Sequence, residues 1–195
     1  MDNKQQFYIH PSSYADEGCF IGTNTKIWHF SHIMNGANIG NNCNIGQNVF
    51  IADKVIIGNN VKIQNNVSLY TGLICEDDVF IGPSVVFTNI KNPRSAILRR
   101  DQYLSTTIEK GCTIGANATI VCGVNLGRFS FVGAGAVVTK NILPYALVIG
   151  NPAKQIGWIS EYGHRLIFNK KNIATCPESQ EQYEFFNNQV KKIST

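Results

Sequence analysis

The chain has 195 residues, a formal net charge of +4, and 15% charged against 44% hydrophobic residues. That length fits one sizeable domain, and a mild charge without a lysine- or arginine-rich block argues against a nucleic-acid surface and suits an anionic small molecule. No apolar run reaches membrane length and the opening residues lack an apolar signal segment, so the expectation is a cytoplasmic protein with no membrane insertion. From Ile21 the chain then keeps a period of six, through Ile27, Ile33, Ile39, Ile45, Ile51, Ile57, Ile63, Leu69, Cys75, Ile81 and Phe87. Two positions before each step stands a smaller or branched residue, such as Cys43, Val49, Val55 or Val61, and glycine often follows, as at Gly40, Gly46 and Gly58. A helix would repeat every 3.6 residues and a long strand every two, so neither fits. A short strand and a tight corner fit: branched residues favour extended backbone, and asparagine and glycine tolerate corner dihedrals. Three strands and three corners close one triangular coil, and stacked coils line their axis with aliphatic side chains. Residues 10–20 read as an incomplete first coil.

The period breaks once, over residues 88–105, and resumes in a new phase at Ile108, running on to Val138. The insertion carries Lys91, Arg94, Arg99 and Arg100. The predicted solenoid therefore spans 1–142 with an inserted loop at 88–105, and a cap spans 143–195. Within the cap, LPYALVIGNPAKQIG at 143–157 reads as turn-rich. TCPESQEQYEFFNNQV at 175–190 reads as a short helix: Thr175 caps it, Pro177 suits an early position, and Tyr183, Phe186 and Val190 share a face. Cys19, Cys43, Cys75, Cys112, Cys122 and Cys176 form no C-x-x-C pair, and several fall at inward positions, so they read as small buried hydrophobes in a reducing compartment.

The units ANIGNN, CNIGQN, CTIGAN and FVGAGA resemble those of the hexapeptide-repeat acyltransferases, whose fold is an all-β solenoid, the left-handed parallel β-helix. The hand comes from the resemblance alone, because crossovers between parallel strands are ordinarily right-handed. IWHFSHI, FIGPSVVFTNIKNPRS, TIGANATIVCG and VVTKNILPYALVIGNPAKQIGW are similar to stretches of the bacterial nucleotide-sugar N-acetyltransferases of surface-polysaccharide synthesis, over roughly residues 7–168. The resemblance implies acetyl-CoA as cosubstrate, no metal, a homotrimer with sites between subunits, and a 3-amino nucleotide sugar as acceptor. UDP-2-acetamido-3-amino-2,3-dideoxy-glucuronate is the acceptor it favours, on the way to O-antigen or capsule precursors, with a dTDP-3-amino-3,6-dideoxyhexose as the alternative.

Acetyl transfer needs a neutral amine, an aligned thioester and donors for the developing oxyanion. His29 and His32 are the candidate bases, both outside the inward positions and placed near one corner by their spacing; bridging subunits or holding a substrate phosphate is the other reading. Glu76, with Asp77 and Asp78, makes an acidic corner that attracts a sugar ammonium, or is simply a solvated turn. Asn89 suits a sugar hydroxyl or the thioester carbonyl. Arg94 offers a planar fork to a carboxylate or diphosphate. Asn92, Tyr103 and Lys62 complete the acceptor-binding set, with Tyr70 for the base of the nucleotide or for an interface. Gly115, Ala116, Gly133 and Ala134 are small corner residues that leave room for a pantetheine arm. Lys140, Lys154 and Arg128 suit its phosphates, and the resemblance places Pro152, within NPAK, near the adenine end. Other functions on the same coil are a non-catalytic scaffold and a carbonic-anhydrase-like metal site. The latter needs three converging histidines, and the chain has only His10, His29, His32 and His164.

Overall fold

The computed structural model describes residues 6–194 and winds residues 8–149 into a three-sided parallel coil. The first face carries Tyr8–Ile9, Lys26–Ile27, Asn44–Ile45 and Lys62–Ile63 and continues to Ala146–Ile149. The second runs from Tyr14–Ala15 through His32–Ile33, Phe50–Ile51, Ser68–Leu69 and Val86–Phe87 to Val137–Val138. The third runs from Phe20–Ile21 to Asn125–Leu126. The residues expected to form an incomplete first coil thus belong to one whose three strands all pair with the next coil.

The six-residue period becomes a column of side chains. Ile27, Ile45, Ile63 and Ile81 stand in register on one face and are fully buried. Burial of each isoleucine contributes about 1.5–3 kcal/mol. Corners follow from local chemistry too: Asn42, Asn60 and Asp78 take left-handed φ values of 57°, 54° and 61°, which short polar side chains tolerate. Their neighbours satisfy corner amides from one coil to the next, with Asn59 Oδ1 accepting from Asn41 N at 2.9 Å and Asn41 Oδ1 from Thr23 N at 2.8 Å.

Between Phe87 and Thr106 the chain leaves the coil at the corner joining the second and third faces. The pairing resumes as if nothing had intervened, with Cys75 facing Ile108. The arm is closed at its base by Leu104 N donating to Asn89 O at 2.9 Å, and its tip exposes Leu98.

The predicted C-terminal helix is not formed. Residues Ile173–Thr175, Gln182–Phe186 and Gln189–Ser194 make an antiparallel three-stranded sheet instead. The reason is local: Asn187 and Asn188 both adopt positive φ, 48° and 56°, the signature of a two-residue hairpin turn between alternating strands. Tyr183 and Val190 point inward and Phe186 outward, so the three share no face. Tyr183 packs edge-on against Tyr145 at the end of the solenoid, which seats this sheet over the last coil.

Cys43, Cys75, Cys112, Cys122 and Cys176 are buried and Cys19 is half-buried, all as free thiols. Burial pushes the Cys75 thiol well up and Cys112 up to about 12. At Cys176 burial acts in the same direction, but hydrogen bonds, first from Ser160 and Ser179, bring the thiol down to about 7.

Candidate active site

His32 projects from the second face and is 44% exposed. Its Nε2 lies 2.8 Å from Asp16 Oδ1, and Asn35 N donates to the other oxygen of the same carboxylate at 3.1 Å. The hydrogen bond from His32, then that from Asn35, holds the Asp16 carboxyl below its ordinary range. A carboxylate only accepts, so Nε2 is the donor and the imidazole proton sits there. The rings of Tyr14 and Phe50 lie 5.7 and 5.8 Å away on either side, and Tyr70 follows Phe50 at 6.1 Å. The outer second face therefore carries a strip of rings leading from His32 to the root of the arm.

His29 does not join His32. It sits in the turn before the His32 strand and stacks on His10, with ring centroids 3.5 Å apart. Burial, then the neighbouring His29, holds His10 below its usual range. The expected shared corner is replaced by two separate environments, because His29 stays in the turn against His10 while His32 lies in the strand that follows, against Asp16 and Tyr14.

The arm stands above Tyr70, whose corner is closed over by Thr88 and Leu104. Asn89 is half-buried at its root, Asn92 and Arg94 are exposed further out, and Tyr103 is 39% exposed where the arm returns. Arg94 donates to Pro93 O at 3.2 Å and Arg99 to Gln102 Oε1 at 2.9 Å. Among the described residues, Lys91, Arg94, Arg99 and Arg100 make no ion pair with a carboxylate. With Asp101 as the one acid of the arm, this edge keeps a net positive charge that suits a phosphate or carboxylate. Lys62 is exposed on the first face, away from the arm.

Glu76 lies on a different corner, between the third and first faces, where Oε2 accepts from Lys110 N at 2.8 Å. Its carboxylate caps the next coil. Asp77 and Asp78 face the same corner, with Asn59 N donating to Asp77 Oδ1 at 2.6 Å and Lys110 Nζ 3.4 Å from Asp78 Oδ2.

The small residues stack on the corner between the first and second faces of the upper coils. A Cβ on Gly115 would lie 2.5 Å from Ala134 N, and one on Gly133 would lie 2.7 Å from Ile149 Cγ2. Coil-on-coil contact alone thus demands glycine there, whatever passes outside. Pro152 comes to the same corner, since Ala153 N donates to Val137 O at 2.8 Å, and exposed Lys154 follows it. Exposed Lys140 and Arg128 stand at the other two corners.

Within one chain, then, the arm, Glu76 and the small-residue column occupy three different corners of a prism. Among the described residues no group of three or more His, Cys, Asp or Glu side chains is arranged to hold a metal ion. Nor is any helix there long and apolar enough to cross a membrane. Asp16 escaped the sequence reading because its partner lies 16 residues away. The available signal was the coil repeat, which sets Tyr14 beside His32 and carries the chain on to Asp16.

Comparison with known proteins agrees with this architecture. The family described as the hexapeptide repeat of succinyl-transferase matches residues 36–71 and 105–140, and that described as the bacterial transferase hexapeptide matches 18–53. The matches stop short of the arm and resume after it. Among curated relatives, the dTDP-3-amino-3,6-dideoxy-alpha-D-galactopyranose 3-N-acetyltransferase of Aneurinibacillus thermoaerophilus is 41% identical over 93 residues, 48% of this chain and 47% of that protein. The chain spans less than half the length of the curated relatives it matches most strongly. A hexapeptide transferase family protein from Anaplasma phagocytophilum has the same fold, with a TM-score of 0.55 at 17% identity, covering 80% of this chain and 81% of that one. So does the acetyltransferase domain of PglB from Neisseria gonorrhoeae, solved with acetyl coenzyme A, with a TM-score of 0.51 at 20% identity, covering 77% of this chain and 58% of that one. The coils of this chain are similar to transferase hexapeptide repeats over residues 18–71 and 105–140, and they share the fold of a left-handed parallel β-helix.

Proposed function

We propose that the protein transfers the acetyl group of acetyl-CoA to the 3-amino group of a nucleotide-linked amino sugar. The observation that carries this reading is the arm: a cationic edge with no carboxylate partner among the described residues, rooted beside Tyr70 at the end of the aromatic strip. That combination offers stacking to a base and charge-assisted hydrogen bonds to a diphosphate. Arg94 takes a carboxylate on the sugar, which favours UDP-2-acetamido-3-amino-2,3-dideoxy-glucuronate. A dTDP-3-amino-3,6-dideoxyhexose is the second reading, favoured by the similarity to the Aneurinibacillus enzyme. Either product feeds the assembly of surface polysaccharides in the cytoplasm.

The three corners of one prism diverge, so a cleft needs walls from more than one chain. A homotrimer supplies them, setting the arm of one copy against the small-residue corner of the next. There the pantetheine follows Gly115, Ala116, Gly133 and Ala134 toward Pro152 and Lys154, and the acceptor lies along the arm. Asn89 donates to the thioester carbonyl as the C–N bond forms. The proton that the amine sheds passes to water, since His32 lies three strand spacings below the arm's root, and the departing thiolate is protonated in turn.

Purified protein supplied with acetyl-CoA and a panel of UDP- and dTDP-linked 3- and 4-amino sugars tests the reading by release of free thiol. A 3-amino sugar releases thiol and a 4-amino sugar does not; release with neither, together with no calorimetric binding of coenzyme A, would leave the scaffold. Arg94→Ala raises the acceptor KM about 10-fold or more, the size of a lost charge-assisted hydrogen bond, and leaves the KM for acetyl-CoA in place.

A further inference from the structure

The residue that follows the inward aliphatic of each first-face strand forms a column on the corner between the first and second faces. Above Trp28 the column reads Gly46, Gln64, Gly82, Gly115 and Gly133 in register. Contact with the circuit above favours glycine there. A Cβ on Gly46 would lie 2.8 Å from Asn65 N, and one on Gly82 would lie 2.7 Å from Ala116 N. Gln64 breaks the column. Other side chains at this slot, on this corner or on the matching corner after the third face, are tied within the chain at 2.8 Å each: His10 Nδ1 with Ser12 Oγ, Trp28 Nε1 with Asn44 Oδ1, Glu76 Oε2 with Lys110 N, and Glu109 Oε2 with Arg128 N. Gln64 N donates to Ile81 O at 2.9 Å as the coil requires, but among the described residues its half-buried side-chain amide has no partner. A polar side chain that neither packing nor internal bonding calls for points to a ligand.

Its height identifies the part of the ligand it meets. Gln64 lies three strand spacings below Gly133, roughly 14 Å along the axis. The pantetheine arm has about twelve chain bonds between pyrophosphate and sulfur, the length of about four extended residues, roughly 13–14 Å. A coenzyme with its pyrophosphate beside Gly133 and Lys154, and its arm descending the glycine corner, brings its sulfur to Gln64. The circuit of Gln64 continues into Ser68–Leu69, the strand directly below Val86 at the root of the arm. A threefold axis along the coil keeps heights equal between copies, so the thioester on one copy meets the arm of the next.

We propose that the Gln64 side-chain amide donates to the thioester carbonyl of acetyl-CoA, opposite Asn89 of the partner subunit, and stabilises the oxyanion that forms there. The inference rests on the acetyl-transfer reading above. The amine nitrogen bonds to the carbonyl carbon and the C=O electron pair moves onto oxygen, where Gln64 Nε2 donates. The pair then returns, the C–S bond breaks with its electrons on sulfur, one amine proton leaves to water, and the thiolate takes a proton from water.

Gln64→Leu keeps the size of the side chain and removes the donor. Turnover of the nucleotide amino sugar falls about 100-fold, while the KM for acetyl-CoA and the calorimetric affinity for coenzyme A, which lacks the thioester carbonyl, stay within about twofold. The thermal midpoint holds, because no internal bond is lost. Gln64→Glu keeps the shape with acceptors only and loses at least as much turnover. Infrared difference spectra of bound acetyl-CoA, labelled with carbon-13 at the thioester carbonyl, read the contact without any acceptor: the carbonyl stretch lies lower in the wild type than in Gln64→Leu. Unchanged turnover in Gln64→Leu, with or without a raised KM for acetyl-CoA, or the same carbonyl stretch in both proteins, would overturn the proposal. If the wild type binds acetyl-CoA but acetylates no sugar of the panel, the acceptor reading falls and the carbonyl stretch decides the role of Gln64. If it binds no acetyl-CoA, both readings fall.

Discussion

Cys75 and Ile108 are direct neighbours on the third face, paired in parallel register although the whole arm lies between them in sequence. The arm is therefore an excursion from a finished corner. Replacing residues 90–103 by a short glycine-containing turn leaves the solenoid folded, with an unchanged β-rich circular dichroism spectrum and a thermal midpoint within a few degrees. The same variant loses acetylation of the nucleotide sugar while still binding coenzyme A in calorimetry. A collapse of the thermal midpoint would mean that the arm holds the coils together.

Gly115 separates packing from ligand space. Its missing Cβ faces backbone nitrogen and carbon atoms of Ala134 and Gly133 rather than a pliable side chain. Gly115→Ala therefore destabilises the protein by about 1–3 kcal/mol, the range of an overpacked core, even without ligand. Urea unfolding of the ligand-free protein measures it. An unaltered midpoint would show that the coils separate there without strain.

The cap carries its own pH dependence. Lys192 Nζ lies 2.5 Å from Glu181 Oε1 and 3.1 Å from Glu161 Oε2, while Tyr145 and Tyr183 hydroxyls donate to Glu161 and Glu181 at 2.9 Å each. The hydrogen bond from Lys192 chiefly holds Glu181 below its ordinary 4.5, so this stabilisation is present above that pH and fades as pH falls through the depressed value. The hydrogen bond to Glu181 chiefly raises Lys192 above 10.5, so its part is full below that pH and fades as pH climbs through the raised value. Burial first, then Glu161, pushes Tyr145 up to about 12, which acts in the same alkaline direction. A plot of unfolding free energy against pH shows a plateau between these limbs. Lys192→Met lowers the plateau and flattens the acidic limb; a variant retaining that limb would place it in other carboxylates.

The hairpin turn gives a sign-specific test. At Asn188, with φ of 56°, glycine is conformationally permitted and a branched residue is not. Asn188→Gly holds or raises the thermal midpoint, and Asn188→Val lowers stability by roughly 1–2 kcal/mol. The opposite order in a melting experiment would contradict a hairpin at this place.

The coil was readable because every inward slot repeats: Ile27, Ile45 and Ile63 announce themselves without reference to anything distant. The tail was not, because Thr175 and Pro177 imitate a helix start, and the deciding signal is a pair of asparagines whose left-handed geometry shows only once the two flanking runs are recognised as alternating. His32 could be singled out by its chemistry alone. Asp16 could not, since its contact with His32 exists only after the chain has gone once round the axis. Glu76 was legible as an acid but not as a cap, because its partner Lys110 N lies beyond the arm. That His29 turns to His10 rather than to His32 likewise depends on which edge of a face each residue meets.

Stacked strands give the molecule a built-in ruler. His32 and Val86 belong to the same sheet, three strand spacings apart, so the imidazole and the root of the arm are separated by roughly 14 Å along the axis. Because each circuit closes on itself, adding or removing one whole circuit between them would change that separation by about 4.8 Å and leave both ends chemically untouched. Reach toward longer or shorter acceptors is in this way adjustable in whole steps, independently of the groups that do the chemistry.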